Sequence, residues 1–260
     1  MKQIYSQSER GNMTKVQLYV EKLKSIEKWD VYLMQESGLP GPRGNIELGQ
    51  AVAEAGNENT FLHLLSFTPE KAPVNTQEEF LAFCGTLGLG KLLIEGKMEY
   101  FNKLRFLASD PRWRTREAVA MALQNYGENH IEELIKQMEE WSEGNDYEKR
   151  AAAAALCEPK LLKDRRNVSK VLQILDNITG SINNSEDRKS EGFKALKKGL
   201  AYCWSVAIVG YPDEGKKIFE KWTSSPDKDI RWIIRENLNK ERLRRIDKEW
   251  TESWKQKIID

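Results

Sequence analysis

Apolar residues return along much of this chain at the spacing of an α-helix. Val16, Tyr19, Val20, Leu23 and Ile26 form one such set; Ile131, Leu134, Ile135, Met138 and Trp141 form a second; Val168, Val171, Leu172, Leu175 and Ile178 form a third. Positions three and four apart share a helix face, so each set predicts an amphipathic helix with one buried side. Period-two alternation is almost absent. The run from Val206 to Val209 looks strand-like alone, but it continues the helical set Leu200, Cys203, Trp204, Ala207 and Ile208. The predicted class is all-α.

Breaks between these sets have their own chemistry. The segment from Gly38 to Asn45 carries too many Pro and Gly residues to be helical. Ala72 to Thr76 ends in a plausible helix cap, with Glu78 and Glu79 in the first turn, where the helix dipole favours carboxylates. Gly127, Gly144, Gly180 and Gly210 each follow an apolar run, a place where a residue at positive φ often closes a helix. Ser181 to Ser190 is polar and reads as an exposed, mobile turn.

Two segments repeat. Residues 110–117 and 229–236 share the pattern D-x-R-W-x-x-R-E. A looser pattern, D-x-x-x-R before an apolar helix, occurs at Asp110/Arg114, Asp146/Arg150 and Asp227/Arg231. The two patterns imply registers two residues apart. The steps of the looser pattern, 36 residues from Asp110 to Asp146 and 81 from Asp146 to Asp227, give a period of about 40 residues, the length of a two-helix unit that buries its apolar face only by stacking on neighbours.

At Ser109 to Ala120, and again at Asp146 to Leu156, the chain resembles the HEAT-repeat proteins. Their units place an Asp in the turn between paired helices and an Arg near the start of the second. Asp227 to Leu238 is similar to a terminal repeat of the bacterial alkylpurine DNA glycosylases, which are built from HEAT-like units. The resemblance covers roughly residues 75–240. It implies an α-solenoid, a right-handed superhelix of about five or six antiparallel helix pairs. Residues 1–74 are then a divergent helical cap with a Gly/Pro loop, and residues 241–260 a polar C-terminal helix.

The repeated segments admit two readings. In the structural one, the Asp caps free amides, Pro111 takes the first helical position, Arg114 and Arg231 pair with the capping Asp of the next repeat, and Trp113 and Trp232 fill the seams. In the functional one, Arg112, Trp113, Arg116, Arg231, Trp232 and Arg235 line a concave surface, where guanidinium groups hold phosphate and indoles stack on a base or cation. Arg242, Arg244 and Arg245 follow the second segment and extend that surface, so Arg242 and Arg245 join the candidate set. The glycosylases use a Trp with an Asp one helical turn later. Here Trp113, Trp204 and Trp232 are followed at that spacing by Glu117, Ile208 and Glu236.

Composition and charge narrow the picture. The sequence is 31% charged and 40% hydrophobic, with a mean hydropathy of −0.65, too apolar for a disordered chain. Residues 1–150 hold 18 Lys and Arg against 23 Asp and Glu, and residues 151–260 hold 23 against 17, so a net charge of +1 hides a polarised chain. No apolar run is long enough to span a membrane, and no signal peptide is expected. Three separated cysteines, Cys84, Cys157 and Cys203, point to a reducing, cytoplasmic setting without disulfides. The two histidines, His63 and His130, leave little for a metal site, and no carboxylate cluster has ligand spacing, so no cofactor or metal is expected.

Two G-x-x-x-x-G-K runs, Gly85 to Lys91 and Gly210 to Lys216, lack the Ser or Thr that binds Mg²⁺ and follow no strand. Close helix approach explains the glycines of the first. The function expected is a non-enzymatic binding scaffold offering a concave, partly basic surface to a protein or anionic partner. DNA binding, or base excision of the alkylpurine type, is the alternative.

Overall fold

The computed structural model describes residues 13–258. Among these residues it holds fourteen α-helices, one short 3₁₀ turn and no strand. The predicted all-α class is what the chain adopts. Two compact units divide it, one ending at Ala122 and the other beginning at Leu123.

The first unit contains α1 (Lys15–Lys24), α2 (Trp29–Gln35), α3 (Ile46–Ala55), α4 (Glu58–Leu65), α5 (Glu79–Ile94), α6 (Tyr100–Leu107) and the start of α7 (Trp113–Ser142). Its centre is α5, in which every residue but Lys91 and Ile94 is buried. Such a helix has no polar face, and it packs against α2, α3, α4 and α6. Its glycines make that possible: a Cβ at Gly88 would lie 2.2 Å from the Phe61 ring, and one at Gly90 would lie 2.6 Å from the Ala122 carbonyl oxygen. Lys91 donates to the Glu54 and Gly56 carbonyls at 2.9 and 2.8 Å, which satisfies the end of α3. The first G-x-x-x-x-G-K run is therefore packing and capping.

The second unit contains the rest of α7, then α8 (Asp146–Leu156), α9 (Arg165–Ser181), α10 (Glu191–Gly210), α11 (Pro212–Glu220), α12 (Lys228–Leu238), α13 (Glu241–Ile246) and α14 (Lys248–Ile258). Here α10 is central and packs on α8, α9, α11, α12 and α13. Alternate helices form rows: α8 with α10, α10 with α12, and α12 with α14 on one side, α9 with α11 on the other. The first unit repeats this habit, α1 packing on α3 and α3 on α5.

Several sequence expectations need correction. α7 bends at His130, whose φ of −134° and ψ of 42° leave the helical region, so the predicted helix from Ile131 exists but is joined to its predecessor. None of Gly127, Gly144, Gly180 and Gly210 has a positive φ; among the described glycines only Gly38 and Gly96 do. Gly127 serves close approach instead, since its Cβ would meet Leu134 at 2.6 Å. The C-terminal stretch is two helices. Asp247 separates them, accepting the Trp250 amide at 3.0 Å while paired to Lys216 at 2.7 Å. Trp250 and Trp254 both donate to Glu220, which fastens α14 to α11. The turn before α10 is anchored by Arg188, which bonds Asp227 and Asp229 at 2.6 and 3.0 Å.

Asp229 gives a pH test of that anchor. Burial works against its charged form, but the bonds from Lys197 and Arg188 outweigh it and hold its pKa below the ordinary value. A carboxylate depressed in the folded state contributes stability above its unfolded pKa, about 4, and loses it as pH falls through the folded value. Asp229→Asn is expected to melt earlier than the parent at neutral pH, with the gap closing below about pH 4. A gap of constant size in thermal melts across that range removes the carboxylate from the account.

Candidate functional site

The two D-x-R-W segments do not occupy equivalent places. Trp113 is the first residue of α7 and 44% exposed. Trp232 is the fifth residue of α12 and half-buried, with the Lys197 ammonium 4.8 Å from its ring centre. The structural equivalence lies elsewhere. Arg116 and Arg231 are each the fourth residue of their helix, and each donates to carbonyls five and six residues back: Pro111 and Asp110 for one, Pro226 and Ser225 for the other. That register is four residues away from the D-x-R-W alignment, which pairs Arg116 with Arg235.

Arg112 is removed from the candidate surface. It is 3% exposed and grips Asp110 with two nitrogens, at 2.9 and 2.7 Å, while Nη1 donates to the Phe67 carbonyl at 2.8 Å. A guanidinium with buried partners on both sides ties the loop before α5 to the entry of α7 and reaches no ligand. The expected ladder of capping Asp and Arg does not form either. Arg114 pairs with buried Glu79 at 2.9 Å, and Arg231 spends Nη1 on carbonyls.

Beside Trp113 is a cavity of about 260 Å³. Phe80, Phe83 and Met121 give it apolar walls, and Arg43 and Glu117 border it. One face of the Trp113 indole is already covered, because the Arg114 guanidinium lies 4.4 Å from its centre.

The second unit brings other residues together. Lys194, Lys198 and Tyr202, four apart along α10, are exposed and form one stripe. Exposed Arg235 and half-buried Trp232 belong to the outer side of α12, which packs on α10. Lys194 is paired to Glu191 at 2.7 Å, so the face is partly basic. Arg235 makes one long bond, 3.4 Å, to the Ile258 carbonyl. Arg242 stacks on Tyr202 at 4.4 Å and donates to its hydroxyl at 2.8 Å. Arg245 is largely exposed and only 3.7 Å from Glu241. The α10 stripe was missed in sequence, though its spacing of four was legible there.

No family model matches the chain, and no curated protein matches it. Among solved structures, the crystal structure of an engineered protein is similar at 17% identity, covering 93% of this chain and 98% of that one, with a TM-score of 0.35. A likeness of that size bears on neither fold nor function.

Among the described residues no group of three His, Cys, Asp or Glu side chains is placed to hold a metal, and no helix is long and apolar enough to cross a membrane. Cys84, Cys157 and Cys203 are buried free thiols. Burial pushes the Cys84 and Cys157 thiols well up, the reverse of what a reactive thiolate needs. His63 is exposed and bonds Asp30 at 2.8 Å.

Proposed function

We propose that the protein is a non-enzymatic scaffold of stacked HEAT-like helix pairs that binds an anionic partner, an acidic protein or a nucleic acid, on the outer face of α10 and α12. One observation carries this reading: Lys194, Lys198 and Tyr202 stand in an exposed stripe on α10, and the Lys197 ammonium of the same helix lies 4.8 Å from the ring centre of Trp232 on α12. Cations near phosphate or carboxylate supply affinity, and aromatic rings between them supply stacking area. The packing of alternate helices within each unit supports the solenoid, because each pair covers its apolar side only against the next. The excess of Lys and Arg after residue 150 supports the sign of the partner.

A second reading, base excision from DNA, is favoured by the cavity at Trp113. It places an indole beside Glu117 and Phe80, and Glu117 stands one helical turn on, where the resembling glycosylases carry Asp. The same experiment addresses both readings. Fluorescence anisotropy with a labelled duplex and with a labelled polyglutamate peptide, at low and high salt, is expected to show salt-sensitive binding to at least one. Lys198→Ala with Arg235→Ala, both surface changes, is expected to weaken it about tenfold. Absence of binding to both probes at low salt overturns the scaffold. If an alkylated duplex gains abasic sites in the presence of the protein, and Glu117→Gln stops this, excision replaces it.

A further inference from the structure

The second unit also holds a cavity of about 350 Å³, which shares Tyr202 with the α10 stripe and is otherwise unused by the readings above. Pro159 and Leu162, from the segment between α8 and α9, form one wall. Val206 and Val209, from the last two turns of α10, form another. Tyr202 and Arg242 complete it, and Val209 and Tyr202 are 39% and 47% exposed, so the space opens to solvent.

The chemistry of this lining is simple. Among the described residues that line it, Arg242 carries the only charge. Its guanidinium is held by Tyr202, whose ring centre lies 4.4 Å away and whose oxygen accepts from Nη2 at 2.8 Å. A guanidinium has five N–H donors in a fixed fork, and that one bond leaves Nε and Nη1 with theirs. A neutral apolar guest makes no use of those donors, which stay with water at the open side. A cation finds no carboxylate in the lining. A dianion brings one more negative charge than the wall neutralises. A monoanion with an apolar body satisfies both parts at once, because a carboxylate accepts two parallel N–H bonds. The volume lies at the lower end of ligand pockets, about 300–1,000 Å³, so the body is compact.

We infer that this cavity is a binding site for a small organic monocarboxylate, its carboxylate on Arg242 and its apolar body between Leu162, Val206 and Val209. The site shares Tyr202 with the proposed α10–α12 interface, whose test leaves both Tyr202 and Arg242 unchanged.

Isothermal titration of the full chain with phenylbutyrate, and with phenylbutanol as its neutral counterpart, tests this. The parent is expected to bind the acid about tenfold or more tightly than the alcohol. Arg242→Gln is expected to erase that preference. Val209→Trp, which fills the mouth from an exposed position, is expected to weaken both ligands, and it serves as the decisive variant if Arg242→Gln melts much earlier than the parent. Equal affinity of the parent for acid and alcohol overturns the inference. So does acid binding that survives either substitution unchanged, or no measurable binding of either compound.

Discussion

Arg114→Leu is expected to cost about 3–5 kcal/mol of stability, the scale for removing one partner of a buried ion pair. The other partner, Glu79, is 0% exposed, so its carboxylate cannot turn to water when the guanidinium goes. Its Oε2 accepts from Arg114 at 2.9 Å and from the Asn75 amide at 2.7 Å. Oε1 has no hydrogen-bond partner, and neither does Arg114 Nε, so the pair has no reserve of bonds to fall back on. Arg114 also donates to the Gly41 carbonyl at 2.6 Å, which ties the Gly/Pro loop to α7. Urea unfolding of Arg114→Leu, Glu79→Leu and the double variant separates the terms. Each single change leaves a charge buried or a loop untied. The double change removes both charges and is expected to recover a large part of the loss. Equal losses in the Arg114→Leu and double variants would place the whole cost in the loop.

The same residue shows what the sequence held and what it withheld. The class was legible because core positions announce themselves by spacing: Val168, Val171, Leu172, Leu175 and Ile178 are all buried on α9. Periodicity reports burial, and burial is what the fold selects. The repeat register was not legible. D-x-R-W looks like one unit copied, yet Trp113 opens its helix while Trp232 stands a full turn inside another. Identity of letters was outweighed by where the backbone begins to coil, which Asp227 fixes by accepting two amides at 2.8 and 3.2 Å.

The arginines divide between interior and surface for a physical reason. A guanidinium satisfies buried carbonyls as well as it satisfies a ligand, and composition does not distinguish the two. Arg112, Arg116 and Arg231 turned to carbonyls of their own or a neighbouring loop. Arg235 and Arg245 stayed outside. What sequence could have supplied was the polar side of α10. Lys194, Lys198 and Tyr202 repeat at four, on a different face of the helix from the apolar set Leu200, Cys203 and Trp204.

Trp204 carries the largest effect expected in the second unit. Trp204→Ala is expected to lose about 3–5 kcal/mol, the range for emptying a buried aromatic site. The side chain is 0% exposed, and it joins three helices. From α10 its indole N–H donates to Thr179 Oγ1 of α9 at 3.0 Å, and its ring meets Phe219 of α11 edge-on at 5.6 Å. Trp204→Phe separates the two contributions. The smaller ring keeps much of the Phe219 contact and loses the hydrogen bond. Thr179 is not orphaned, because its hydroxyl still donates to the Leu175 carbonyl at 2.7 Å. The Phe variant is therefore expected to lose about 1–2 kcal/mol, measured by urea unfolding followed in far-ultraviolet circular dichroism. If both variants lose the same amount, the hydrogen bond rather than the buried ring holds α9, α10 and α11 together, and the interior of this unit is organised by polar contact more than by area.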